Sequence, residues 1–469
     1  MNSFGKKYGI TVIIVFGIIL RLFAYFRGIS FWGDEAALAL NVLEHSYSGL
    51  FKGLDYLQVA PPMFLVMSKF LIIDNLRDFT LRLIPLVSGI AAIPLFYKFI
   101  SMLSKNRVVI TVSTFLFSFN TTAILYCAQF KQYSLELFTS VLLLIIFYKL
   151  IFEKEFKWYY PLLIAIAPWF SLSSLFIIGS YFLVMLIKNP GAVLKTYIPF
   201  FISFLLFYFL SLRYVSSCNY DGMYNWWQNG YGFADLRHPL RIVLRFGELF
   251  SFDKLKALFC GAIMLVPAFI SLISNKKQRL FLGLPILLTF AASTLRLYPI
   301  EARLILFLLP LFVVIIAEYN WKFKNVCLMS VCIISFITSI FYTINPYKFY
   351  TSAREAVQIV ENHIKDGEKI VLDSSYHRYY YYLHQKDNVI ILKDGCEPYL
   401  EVCNNKIEEL PAGRYYFILK EDPKNLFTSK VKVLDKYNLH STVIYFEKVI
   451  RRFAFKQSAL LKIIISLFC

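Results

Sequence analysis

Long apolar runs, separated by short basic turns, constrain this chain more than any other feature. The first is Tyr8–Phe26, preceded by Lys6 and Lys7. Later runs occupy approximately 81–100, 108–126, 133–152, 159–187, 196–212, 257–274, 280–297, 302–318 and 322–344. A helix needs roughly 17–25 apolar residues to cross a bilayer, and lipid tolerates only backbone that pairs with itself. The runs therefore predict an α-helical polytopic membrane protein. The 159–187 run exceeds one crossing and carries Pro168, Ser171, Ser173 and Ser174 near its middle. A single tilted helix would fit its length, but the proline and serines fit better with two short helices, one entering and one returning. That reading gives about eleven spans.

Charge orients the spans. The chain carries 49 Lys+Arg against 30 Asp+Glu, a net +19. In a soluble protein this balance would point to nucleic acid. Here the basic residues crowd the short turns: Lys98, Lys105 and Arg107; Lys154 and Lys157; Lys188 and Lys195; Lys276, Lys277 and Arg279; Lys322 and Lys324. The positive-inside rule places these turns and the N-terminus in the cytoplasm, with the lipid bilayer as partner and no nucleic acid. Charged residues are 17% of the chain, against about 25% in soluble domains, which argues against a disordered chain or an ordinary cytosolic enzyme. The outer side also has base, at Arg77, Arg82, Arg237, Arg241 and Arg245. Either these weaken the charge rule or they mark an anionic ligand. The eight cysteines have no CxxC spacing, so no zinc ribbon or redox motif is indicated. The first run is too long for a signal-peptide core and is read as an uncleaved span.

Residues 1–345 are expected to form the membrane domain, with long outer loops at 28–80 and 213–256. Met63–Ile73 is apolar, too short to cross and contains Lys69, which suits a helix lying in the interface. Residues 36–50 suggest another. Residues 346–469 turn polar and predict a small extracytoplasmic α/β domain. It would have a helix over Ala353–Ile364 and strands at Lys369–Leu372, Val389–Leu392 and Tyr415–Leu419. Its Tyr379–Tyr382 run suits core packing more than sugar stacking. Cys396 and Cys403 would meet an oxidising compartment, where a disulfide can form. Ala459–Cys469 is apolar but too short to span.

Five spots carry chemistry. Asp34 and Glu35 follow the first span closely. They suit the positive end of a helix beginning near Ala36, and equally a general base at the membrane surface. Pro61-Pro62 stops one element and opens the next, fixing the loop. Arg82 is either a snorkelling anchor or a phosphate ligand, for which the guanidinium fork is well shaped. In Gln129–Glu136, Glu136 enters an apolar run and calls for a partner such as Lys131 or a base on another span. In Arg296–Arg303, Arg303 opens the next run within reach of a lipid phosphate, or serves as an interfacial anchor.

Taken in order, these residues resemble glycosyltransferase family 39, the membrane GT-C-type enzymes that include protein O-mannosyltransferases and lipid A aminoarabinose transferases. The resemblance covers about residues 8–345 and rests on Asp34-Glu35, Pro61-Pro62, Arg82-Leu83, Tyr133 and Arg303. It implies a polyprenyl-phosphate sugar donor, a hydroxyl acceptor on a protein, glycolipid or polysaccharide, and inverting transfer on the extracytoplasmic side of the membrane; without large appended luminal domains, a bacterial inner membrane is expected rather than the endoplasmic reticulum. It further implies Asp34 as base beside Glu35, with Arg82, Lys131, Tyr133 and Arg303 on the donor phosphate. No nucleotide is expected, in keeping with the lack of a Gly-rich phosphate loop. A divalent metal is left open, with no metal ligands named. Val59 and Ala60 stand where some family members place a charged residue, and Lys131 stands where an arginine is common. An oligosaccharyltransferase or envelope polymer ligase is the alternative within enzymes; here Trp226-Trp227 is followed by Gln228 rather than Asp. A non-enzymatic lipid or solute transporter is the alternative outside them, though no matching second half is evident.

Overall fold

The computed structural model of the chain describes residues 3–214, 220–229, 232–273, 277–318, 324–345, 353–372, 377–383, 387–391, 413–419, 431–438 and 442–448. Cys396, Cys403 and Ala459–Cys469 lie outside them. The chain divides into two compact units. One holds Met1–Gly28 and Ala37–Lys348; the other holds Ile29–Ala36 and Phe349–Cys469.

In the first unit the expected apolar runs are mostly helical. Gly9–Phe26, Asp74–Leu103, Tyr133–Glu153, Pro190–Leu212 and Lys324–Ile344 are each long and apolar enough to cross a bilayer. Lys254–Ile273 is helical as well. Shorter apolar helices occupy Tyr159–Phe170, Ser174–Lys188, Leu280–Thr294 and Leu306–Glu318. The long 159–187 run is thus two helices, broken at Ser171–Ser173. There the Ser174 amide donates to the Ser171 hydroxyl at 3.2 Å.

The 108–126 run is not one straight span. It forms Arg107–Ser118 and Thr121–Cys127, bent by 46°. Asn120 makes the break. Its side-chain oxygen accepts from the Ala123 amide at 2.9 Å, and its Nδ2 donates to the Leu249 carbonyl at 2.8 Å. The Thr121 and Thr122 hydroxyls donate to the carbonyls of Phe250 and Glu248. A turn that would otherwise bury bare carbonyls is satisfied by three consecutive polar side chains.

Two glycines allow helices Pro239–Gly247 and Lys254–Ile273 to touch backbone to backbone. A Cβ on Gly247 would lie 1.6 Å from the Ala257 carbonyl oxygen, and one on Gly261 would lie 1.9 Å from that of Val243. Arg21, inside the first span, is fully buried and staples two helices. Its Nη1 donates to the carbonyls of Gly17, at 3.0 Å, and Ser118, at 2.8 Å.

The second unit contains a five-stranded mixed sheet. Its strands are β1 (Lys369–Leu372), β2 (Val389–Ile391), β3 (Gly413–Leu419), β4 (Val431–Asn438) and β5 (Thr442–Lys448), in the order β2-β1-β3-β5-β4. β1 is parallel to β2 and β3; β5 is antiparallel to β3 and β4. The Ala353–His363 helix packs Ala356, Val357 and Val360 against Ile370, Leu372 and Tyr416. Three strands fall where the sequence suggests. β4 and β5 do not announce themselves: Lys432, Asp435 and Lys436 interrupt the apolar alternation of β4, and its register shifts between Val433 and Asp435.

Candidate active site

Asp34 and Glu35 occupy the first turn of the Gly33–Glu44 helix. The Ala36 amide donates to the Trp32 carbonyl at 3.0 Å, closing that turn. Two carboxylates there face the positive end of the helix dipole, which stabilises them. Their exposure differs: Glu35 is 1% exposed, whereas Asp34 is half-buried. Asp34 is the more accessible member of the pair.

The segment bearing the pair is held within the second unit. The Phe31 ring stacks on Tyr381 with centroids 4.8 Å apart. The Phe31 amide donates to the Tyr382 hydroxyl at 2.7 Å, and the Ser30 hydroxyl donates to Glu355 at 3.2 Å. Tyr379 is part of the core of this unit. The tyrosine run is therefore packing, and two of its members grip the segment leading to Asp34. His377 opens the same short helix. Burial, reinforced by neighbouring Arg378, pushes its imidazole down to about 4, with Asp34 pulling the other way.

In the first unit, Lys131 is buried and donates from Nζ to the Gln58 side-chain oxygen at 2.6 Å. The Gln132 amide group donates to the Val59 carbonyl at 3.2 Å. The strand of chain entering Pro61-Pro62 is thereby tied to the 129–132 turn. Pro61 caps the Pro62–Phe70 helix and Pro62 opens it, where a missing N–H costs nothing. That helix overlaps the Met63–Ile73 segment expected to lie in the interface, and Lys69 reaches back to the Val42 carbonyl at 2.6 Å. Asn41 binds both the amide and the carbonyl of Asp55, at 2.7 and 3.1 Å. His45 sits 3.4 Å from Asp55.

Arg82 is 3% exposed, at the junction of helices Arg77–Leu81 and Leu83–Leu103, with Tyr25 within electrostatic reach. Tyr133 begins its helix and meets Tyr126 edge-on at 5.1 Å. Arg303 lies in the turn before Leu306–Leu308, with its guanidinium 5.6 Å from the Trp227 ring centre.

Two expectations change. Glu136 does not need Lys131. Its carboxyl takes hydrogen bonds from the Ser173 hydroxyl and from the amides of Leu172 and Ser173, so it caps the start of the Ser174–Lys188 helix. Several arginines of the expected outer loops are compensated locally. Arg77 pairs with Asp74 at 3.1 Å, Arg237 makes a two-pronged pair with Asp235, and Arg245 lies 3.1 Å from Glu248 and 3.0 Å from Glu301. Arg237 holds the Asp235 carboxyl well below its ordinary range. Gln58, His377 and Arg378 carry no motif that would single them out in sequence. Among the described residues, no group of three or more His, Cys, Asp or Glu side chains is arranged to hold a metal ion.

The chain has a GT-C-type fold. The chain is similar to two crystal structures of ArnT from Cupriavidus metallidurans. To the apo state it is 10% identical with a TM-score of 0.57, over 93% of this chain and 98% of that one. To the state bound to undecaprenyl phosphate it is 11% identical with a TM-score of 0.56, over 93% and 97%. No protein-family model matches the chain, and no curated protein matches it by sequence.

Proposed function

We propose that this protein transfers a sugar from a polyprenyl-phosphate donor to a hydroxyl acceptor on the extracytoplasmic side of a bacterial inner membrane. The observation that carries this reading is the fold it shares with a protein solved with undecaprenyl phosphate bound. The half-buried Asp34 in a first helical turn supports it from the side of the chemistry.

In this reading Asp34 accepts the acceptor's hydroxyl proton. The acceptor oxygen forms a bond to the anomeric carbon from the face opposite the phosphate. The bond from that carbon to the phosphate oxygen breaks, and its electron pair leaves with polyprenyl phosphate. The configuration inverts. Glu35, buried in the same turn, supports the acidic segment. Arg82, Lys131, Tyr133 and Arg303 receive the phosphate charge as it develops, and Pro61-Pro62 fixes the loop that presents Gln58 to Lys131. The N-terminus is cytoplasmic and the second unit extracytoplasmic, so no nucleotide is required on the reacting side.

The test is lipid mass spectrometry on the purified chain in nanodiscs loaded with an undecaprenyl-phosphate hexose or pentose. Release of undecaprenyl phosphate when a hydroxyl acceptor is supplied is expected. Donor that is bound but never consumed favours a lipid carrier. Donor that is not bound at all removes the lipid-linked reading.

A further inference from the structure

A general base must be held within a narrow range of positions, and small displacements of it cost rate steeply. Asp34 follows the first span by a short linker, Ile29–Trp32, which has no regular structure of its own before the helix begins at Gly33. What fixes that linker is the short helix His377–Tyr380 and the two residues after it.

We infer that Arg378 and Tyr382 of the second unit are positioning residues for Asp34, Tyr382 through the Phe31 backbone and Arg378 through the turn at Gly33. Four contacts support this. The Phe31 amide, three residues before Asp34, donates to the Tyr382 hydroxyl at 2.7 Å. The Phe31 side chain is fully buried, with its ring stacked on Tyr381 and edge-on to Tyr382 at 6.4 Å. The Arg354 guanidinium lies 5.5 Å over the Tyr382 ring, fixing that ring from its other partner. Arg378 Nη2 packs at the Gly33 turn, where a Cβ would meet it at 3.7 Å, an ordinary van der Waals contact.

The anchor beneath these contacts is rigid. Tyr379 is fully buried in the core with Val357, Ile370 and Leu372, so Arg378 stands on a turn that cannot drift. Arg378 Nε is buried without a hydrogen-bond partner among the described residues. In the proposed clamp the guanidinium, packed at the Gly33 turn, offsets the repulsion of holding two carboxylates in the helical turn that follows. His377, held neutral at ordinary pH by its surroundings, adds no second cation there.

This inference rests on the proposed transfer reaction for its kinetic arm only. Hydrogen exchange of the purified full-length chain reads the positioning without any turnover. In Tyr382→Phe and Arg378→Ala, the amides of residues 29–36 should exchange about five- to tenfold faster than in wild type, the loss expected of one hydrogen bond or ion contact. Unchanged exchange in both variants overturns the inference, whether or not the protein is a transferase. Where wild type turns over an undecaprenyl-phosphate sugar, Arg378→Ala should lower kcat about tenfold or more with donor KM within about twofold, and Arg378→Lys should recover part of the loss. A fall in donor affinity equal to the fall in kcat, with no recovery in the lysine variant, marks a folding defect and overturns the positioning role. Absence of turnover in wild type, with faster exchange in the variants, rejects the transferase reading and leaves the clamp standing.

Discussion

Glu136 sits in an apolar helix yet needs no cation, because a helix start supplies three donors to its carboxyl. Glu136→Ala should strand the amides of Leu172 and Ser173 in the interior and cost about 1–3 kcal/mol of stability. Glu136→Gln keeps an acceptor and should lose less; thermal unfolding in detergent compares the two. His377 gives a pH dependence. The unfolded imidazole gains its proton near 6.5 and the folded one only near about 4. Between those values the unfolded chain binds more protons, so stability falls as pH drops and levels off below the lower value. The full loss is about 3 kcal/mol, and it should vanish in His377→Gln when melting is followed from pH 7 to 4. At this scale the sequence was uneven in what it disclosed. Adjacent acids just past a first span stand out, as do paired prolines. The partner of Lys131 does not, because Gln58 lies 73 residues away and has no distinguishing neighbours. Arg21 was equally hidden, since one charge inside a span reads as noise until its two carbonyl partners are known.

Elements follow the hydropathy closely where length alone decides. The apolar runs are mostly helical, and the serine break in 159–187 falls where the proline and serines suggest. The 46° bend at Asn120 escapes hydropathy, because what makes it is a set of carbonyls from the Glu248–Phe250 turn, distant in sequence. Strand β4 escapes it because charged residues break the two-residue period. The crossing at Gly247 and Gly261 belongs to this scale too. Either residue changed to valine drives a side chain into the facing backbone, which cannot retreat as a flexible side chain would. We expect a loss of about 1–3 kcal/mol or more and poor recovery from membranes, read by size-exclusion chromatography of detergent extracts. Ser330→Ala, a half-buried position whose hydroxyl donates back to its own helix at the Val326 carbonyl, is the control and should be neutral.

For the whole molecule, the segment that carries Asp34 belongs to the same compact unit as the C-terminal sheet, while the helix it begins runs on into the first unit; the division falls between Ala36 and Ala37. Nothing in the composition of Ile29–Ala36 discloses this, since the contacts are made to tyrosines some 350 residues on; the Phe31–Tyr382 bond spans 351. The proposed topology makes a direct prediction: alkaline phosphatase fused after residue 448 should be active, and fused after Lys154 inactive, because only the first position lies outside the cytoplasm. The reverse pattern would invert the topology. The central claim is that Asp34 is the base of a lipid-linked sugar transfer. It is tested most directly by single-turnover release of undecaprenyl phosphate from an undecaprenyl-phosphate sugar, comparing wild type with Asp34→Asn in the same nanodiscs. The account predicts that both bind the donor alike and that the variant releases product at least about a hundredfold more slowly, the lower range for loss of a general base. Equal release rates from the two proteins would contradict it.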